Sequence, residues 1–265
     1  MLALVRKPSK GNEMTKSDPH ESYLIYAWGK NNRGQLGLGV EARSVQEPKL
    51  LHTLADLDVI DVACGEEVSG CVTSTGKLYV WGCGIDGISG KGVEEIIYEP
   101  SKVPINHRIV SIKMGRGFVM ALTAKGRLYA WGRNEFGQLG RAPSNTVEIV
   151  PKSVKGVKGH KFVGFSCGKD FTIAWTGGGK LFSWGYHAIG STESVCTPTD
   201  VSSSFLNHKY VDFSCYTSCY VVSNDFNNEH CIYEYVQEPD ITYIRIFAAI
   251  PSKLIELLLA QDYPS

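Results

Sequence analysis

The chain has 265 residues, with 27 basic side chains against 27 acidic ones and a formal net charge of zero. That balance excludes a global basic field of the kind that gathers on nucleic acid or an acidic membrane, and no apolar run approaches the ~20 residues that span a bilayer as a helix. The 28 glycines point to many tight turns. Eight cysteines without a secretory leader read as reduced thiols in a cytoplasmic protein, with the nucleus as a second location.

In chain order, the apolar patch Met1–Val5 meets Arg6, Lys7 and Pro8 at once. It is too short for a signal sequence, so residues 1–20 are expected to form a flexible tail. From residue 21 to 240 the chain repeats. Trp28-Gly29, Trp81-Gly82, Trp131-Gly132 and Trp184-Gly185 recur roughly fifty residues apart, a period of propellers and solenoids. Six residues after each Trp stands a glycine: Gly34, Gly87, Gly137 and Gly190. Gly76, Gly126 and Gly179 precede the last three Trp residues by five positions. Gly65, Gly115 and Gly168 precede them by sixteen, each behind a sulfur side chain (Cys64, Met114, Cys167).

One unit shows which architecture the period serves. Ile109–Met114 partly alternates apolar with polar, as a half-buried strand does, and Phe118–Thr123 supplies a second strand. Ala124-Lys125-Gly126 is a short turn into a third, Arg127–Trp131. A glycine-bearing loop then leads to a segment ending at Pro151, and proline suits an outer edge because it lacks the ladder's donor. Four strands per unit make one propeller blade.

Leu24-Ile-Tyr-Ala-Trp-Gly-Lys-Asn-Asn-Arg-Gly-Gln-Leu-Gly37 and Arg127-Leu-Tyr-Ala-Trp-Gly-Arg-Asn-Glu-Phe-Gly-Gln-Leu-Gly140 closely resemble the signature of the regulator of chromosome condensation family. The resemblance runs from about Ser22 to Val222 and implies an all-β, seven-bladed propeller, used by members as exchange factors for Ran-type GTPases or as docking domains. This chain departs from that pattern in three ways. It carries only four to five blade equivalents, opening in mid-blade before Trp28 and closing on a worn half, Tyr210–Cys215 and Tyr220–Val222. The register puts Asn227 at the next turn-glycine position, so a further hairpin is compatible with the sequence. The two halves could form one composite blade, but an open arc, a fragment of a larger propeller or a ring completed by a partner is favoured, and an open arc leaves unpaired strand edges that invite self-association. Residues 241–265 form a divergent tail, with Ser252 as N-cap of a short helix bearing Leu254, Ile255, Leu257, Leu258 and Leu259. Finally, Val68, Phe118 and Phe171 stand where the family often places histidine, and apolar residues there fill the same contact between blades.

Chemistry-bearing motifs fare poorly. Gly82-Cys-Gly-Ile-Asp-Gly87 fits G-x-G-x-x-G, but no helix follows it and the repeat already accounts for both end glycines. Cys215, Cys219, His230 and Cys231 lack a C-x-x-C pair and read as small strand thiols rather than zinc ligands. The seven histidines share no repeat position, and nothing groups a nucleophile with a base. No catalytic residue, cofactor or metal is therefore assigned.

Function is expected on two loop families. One follows the inner glycine and offers Glu66, Glu67, Arg116, Lys169 and Asp170; the other follows Trp-Gly and offers Arg33, Arg133, Asn134 and Phe136. Their mixed charge suits a protein surface better than a phosphate backbone or a membrane. The expectation is a non-enzymatic interaction propeller related to small-GTPase regulators. The alternatives are a guanine nucleotide exchange factor for a Ran- or Rab-type GTPase, or a truncated product of a larger multidomain protein.

Overall fold

The structure, a computed structural model, describes residues 2–6, 23–92, 95–186, 188, 193–204, 209–215, 219–224, 230–237 and 242–250. The chain divides into two compact units, Met1–Glu135 with Ser144–Val154, and Phe136–Pro143 with Lys155–Ser265.

In the first unit β2 (Tyr23–Lys30) lies between β1 (Leu2–Arg6) and β3 (Ser44–Leu50), antiparallel to both. Two antiparallel meanders follow. One comprises β4 (Val59–Cys64), β5 (Val68–Thr73), β6 (Leu78–Cys83) and β7 (Ile96–Lys102); the other comprises β8 (Ile109–Met114), β9 (Phe118–Thr123), β10 (Leu128–Asn134) and β11 (Ser144–Ser153). The second unit holds two more four-stranded sheets. These are β12 (Phe162–Cys167), β13 (Phe171–Thr176), β14 (Leu181–Gly185) and β15 (Val195–Asp200), then β16 (Lys209–Cys215), β17 (Cys219–Asn224), β18 (His230–Gln237) and β19 (Thr242–Ile250). Five successive antiparallel blades, the first three-stranded, are the units of a β-propeller.

Two expectations about the ends need correction. Leu2–Arg6 is not part of a flexible tail: it pairs residue by residue with β2, from Leu2 opposite Ala27 to Arg6 opposite Tyr23. Leu2 packs on the first core, so this short apolar patch is a strand covering an open edge. The last blade is likewise no worn half. Val222 pairs with Ile232 across the hairpin that lacks its glycine, and β19 pairs along β18 from Gln237–Thr242 to His230–Ile250. β-branched Ile244, Ile246 and Ile250 favour that extended backbone within the segment assigned to a divergent tail. The helix expected at 252–260 lies outside the described residues.

Alternation along each strand builds the core. On β5 and β6, Val68, Val72, Leu78 and Val80 face one way, into a cluster with Ile109, Ile112, Val119, Ala121 and Trp131 of the next blade. Cys71 and Trp81 face the other way, into a cluster with Ile25, Ala27 and Leu36 of the preceding blade. All six residues of β5 are buried, as are all six of β9 and of β13, so the second strand of these three blades is apolar or small on both faces. The outer strands β3, β7, β11 and β15 are half-buried to exposed along most of their length, and each carries a proline: Pro48, Pro100, Pro151 and Pro198.

The hairpins of the second, third and fourth blades close in the same way. The hydroxyls of Thr73, Thr123 and Thr176 accept the backbone N–H of Lys77, Arg127 and Lys180 at 3.2, 3.0 and 3.1 Å. Gly76, Gly126 and Gly179 donate to the same threonines' carbonyls, with φ of 78°, 75° and 80° that only glycine takes without strain. Blades are also tied along their inner strands. The Asp61 carboxylate accepts the Ser111 hydroxyl at 2.8 Å and the Ile112 N–H at 2.9 Å.

Candidate functional site

The Trp-Gly loops are held by a repeated set of hydrogen bonds. The Asn31 side chain accepts the Leu36 N–H at 3.1 Å and donates to the carbonyls of Val40 and Ala42 at 2.8 and 3.0 Å, so one buried amide staples the whole loop. The loop then offers a carbonyl, seven residues after its own Trp, to the indole of the next blade. Trp81 donates to Gln35 at 3.1 Å, Trp131 to Ile88 at 2.8 Å and Trp184 to Gln138 at 2.9 Å. These three indoles are fully buried, and Trp28 is half-buried. Ser69 and Thr172 add a hydroxyl to the Gln35 and Gln138 carbonyls at 2.9 and 3.1 Å. Val119 occupies the equivalent place beside Ile88 and has no hydroxyl to give.

The loops after the inner glycine are equally regular. Gly65, Gly115 and Gly168 donate to the carbonyls of Val68, Phe118 and Phe171 at 2.8, 3.0 and 2.9 Å. These apolar residues are buried, at 3%, 0% and 8% exposure. The residue two after each Trp is drawn onto this loop: Cys83 N–H donates to Glu67, Arg133 to Gly117 and Tyr186 to Asp170, at 2.9, 2.7 and 2.9 Å. It thereby meets the residue five after the preceding Trp. Arg133 Nε lies 2.7 Å from Asp86 Oδ1, and the Tyr186 and Phe136 rings pack at a 42° tilt with centroids 4.7 Å apart. At the first such junction Arg33 lies 3.6 Å from Glu67.

Beside the Arg133–Asp86 pair opens a cavity of about 330 Å³ lined by Glu66, Glu67, Val68, Cys83, Asp86, Ile88, Arg116, Gly117 and Arg133. Burial holds the pKa of its one thiol, Cys83, above the ordinary value. Cys71, in the core between the first two blades, is pushed up to about 12 by burial and then by the nearby Asp61 charge. Among the described residues no group of three His, Cys, Asp or Glu side chains is placed to hold a metal. Cys215, Cys219, His230 and Cys231 lie on β16–β18, where only the backbone is described.

The sequence model of the regulator of chromosome condensation (RCC1) repeat matches residues 24–72, 75–122 and 125–175, more than half of the chain. The chain belongs to the RCC1-repeat family. Among relatives, the human E3 ubiquitin-protein ligase HERC2 is 32% identical over 178 residues, covering 64% of this chain and 4% of that protein. The rat probable E3 ubiquitin-protein ligase HERC4 is 31% identical over 192 residues, 69% of this chain and 18% of that one. The chain thus spans a small part of the length of these relatives. Among solved structures, human WBSCR16 superposes with a TM-score of 0.72 at 18% identity, over 85% of this chain and 66% of that one. Prp20p of Saccharomyces cerevisiae, described with its binding to Gsp1p and histones, has a TM-score of 0.59 at 22% identity, over 73% and 50%. Both likenesses show the propeller fold.

Seen as RCC1 repeats, the nine expected contact residues fall into three groups. Glu66, Glu67, Arg116 and Arg133 line one cavity, with Arg33 paired to Glu67 at its edge. Phe136 is half-buried against Tyr186, and Lys169 is exposed on its own turn. Asn134 and Asp170 are corrections, because they are 1% and 7% exposed and so lie inside the scaffold. Asn134 occupies the repeat position at which Asn31 staples its loop, and a short amide there is structural. Asp86 and Cys83 also line the cavity, and in the second unit Tyr186 packs on Phe136. The signal that finds them is the fixed offset from Trp, five residues for Asp86 and two for the others.

Proposed function

We propose that this RCC1-repeat chain is a non-enzymatic interaction module whose loop face binds another protein, in the manner of small-GTPase regulators. The observation that carries this is the cavity: acidic Glu66, Glu67 and Asp86 beside basic Arg116 and Arg133, over buried Val68 and Ile88. Charges of both signs around an apolar floor fix the register of a protein partner, whereas a phosphate backbone calls for one sign. The expected compartment, cytoplasm with the nucleus as a second location, accompanies this reading. The outer edges of the first and last blades are the expected points of self-association.

The test is titration of the purified chain against a panel of Ran- and Rab-type GTPases, with Arg116→Glu and Arg133→Glu as variants. Complex formation that weakens at least tenfold in both variants supports the reading, and a complex indifferent to them removes this face from it. Nucleotide release accelerated by catalytic amounts of the chain replaces it with the exchange-factor reading. The likeness to HERC2 and HERC4 favours a second reading, in which the blades are a recognition part that brings a target to a ligase. In that case the chain binds a target protein through the same face and shows no preference among GTPases.

A further inference from the structure

Among the described residues, one of the cavity's carboxylates stands without a partner. Three carboxylates and two guanidinium groups line it. Asp86 is matched by Arg133 at 2.7 Å, and Glu67 by Arg33 at 3.6 Å. Arg116 is engaged in an interaction of its own. Glu66 is exposed, and among the described residues no hydrogen bond or ion pair holds its side chain. Below it, Val68, Cys83 and Ile88 are 3%, 8% and 4% exposed and form an apolar floor. At about 330 Å³ the space is too small for a folded element and ample for one long side chain with a few waters of ~30 Å³ each.

We propose that this cavity takes a single cationic side chain, an arginine or lysine projecting from the bound partner, with its methylenes on Val68, Cys83 and Ile88 and its charge on Glu66. Long basic side chains combine an apolar stem with a charged tip, and the cavity presents an apolar floor under an unmatched carboxylate. A partner's carboxylate is disfavoured there, because it faces Glu66 while Arg133 is already bound to Asp86. Burial of the new ion pair by the partner strengthens it, since a charge-assisted hydrogen bond gains as water leaves. The inference rests on the loop face being the partner-binding one, yet its test requires no partner.

The probe is N-acetyl-arginine amide, titrated into the full-length chain and followed through backbone amide NMR shifts. The expected result is saturable shifts at Glu66, Glu67, Cys83 and Asp86 at millimolar concentration. N-acetyl-citrulline amide, which has the same shape without the charge, gives none. Glu66→Gln weakens the arginine response at least tenfold while the unfolding temperature stays unchanged. Equal binding by the citrulline probe, equal binding by Glu66→Gln, shifts clustered elsewhere, or the same shifts from N-acetyl-glutamate amide would each overturn the assignment. A cation site here with no GTPase complex leaves the pocket standing and removes the GTPase. A complex through Arg116 and Arg133 with no response to arginine does the reverse.

Discussion

The junctions at Arg133 and at Tyr186 occupy the same positions of the repeat and use opposite chemistry. In both, the residue two after a Trp is pinned by its N–H to the neighbouring turn, and it meets the residue five after the preceding Trp. One meeting is an ion pair, Asp86 with Arg133, and the other a tilted ring pair, Phe136 with Tyr186. The backbone and the buried indoles set where these two residues stand, and nothing in that scaffold sets what they are. The lesson is that an RCC1 blade separates architecture from surface character, so each junction can be specified without disturbing its neighbours.

The shared scaffold should dominate any measurement of stability. Trp131→Ala and Trp184→Ala each remove a fully buried indole and are expected to cost ~3–5 kcal/mol in denaturant unfolding. A milder exchange sharpens the comparison. Trp131→Phe leaves the Ile88 carbonyl with no hydroxyl beside it, whereas Trp184→Phe leaves Gln138 still served by Thr172, so the former should cost about 1 kcal/mol more. Equal costs would show that the second donor contributes nothing.

Gly117→Ala attacks the ionic junction from beneath. Gly117 has φ of 73°, and an added Cβ would sit 2.7 Å from Arg133 Cδ and 2.9 Å from Asp86 Oδ2. The expected loss is ~1–3 kcal/mol, accompanied by displacement of the pair and loss of partner binding. Next in size is Phe136→Ala, which removes one half of the ring pair. About 1–2 kcal/mol is expected, since the ring is half-buried and an aromatic pair adds ~0.5–1.5 kcal/mol to its area burial.

An alkaline titration tests the scaffold in a different way. The folded Cys71 pKa of about 12 lies above the ordinary thiol value, so the folded chain keeps a proton that the unfolded chain gives up. This contribution is full below pH ~8.5 and declines up to pH ~12, at no more than ~1.4 kcal/mol per pH unit. Cys71→Ala should flatten the alkaline limb of the unfolding curve, and an unchanged limb would show that the thiol is not its source. The smallest effect is expected of Asp86→Asn. The Arg133–Asp86 pair is part-exposed, at 37% and 23%, so its loss costs below ~1 kcal/mol and shrinks further with added salt. A larger cost would make this junction part of the scaffold and undo the contrast with Phe136.

The sequence made the blades legible because the scaffold repeats its residue types. Trp81, Trp131 and Trp184 share one acceptor geometry, and the glycines beside them share one backbone conformation. The Thr73, Thr123 and Thr176 column repeats as faithfully but went unread, because threonine is unremarkable in a strand and only its hydrogen bond to the turn reveals it. The site was half legible. Charge alone picked out Glu66, Glu67, Arg116 and Arg133, but charge also picked Asp170, which is buried. Asp86 is harder to read from charge, because Arg33, Asp86 and Phe136 share a position and no chemistry. A strand such as Leu2–Arg6, far in sequence from the glycine columns, announces itself only when its partner β2 is in place.

The three fully buried Trp-Gly indoles each donate to a carbonyl that lies N-terminal in the chain: Gln35 for Trp81, Ile88 for Trp131, Gln138 for Trp184. A ribosome therefore releases each acceptor loop before the tryptophan that seeks it. Each of these three tryptophans can close onto a loop already waiting for it, in the order of synthesis.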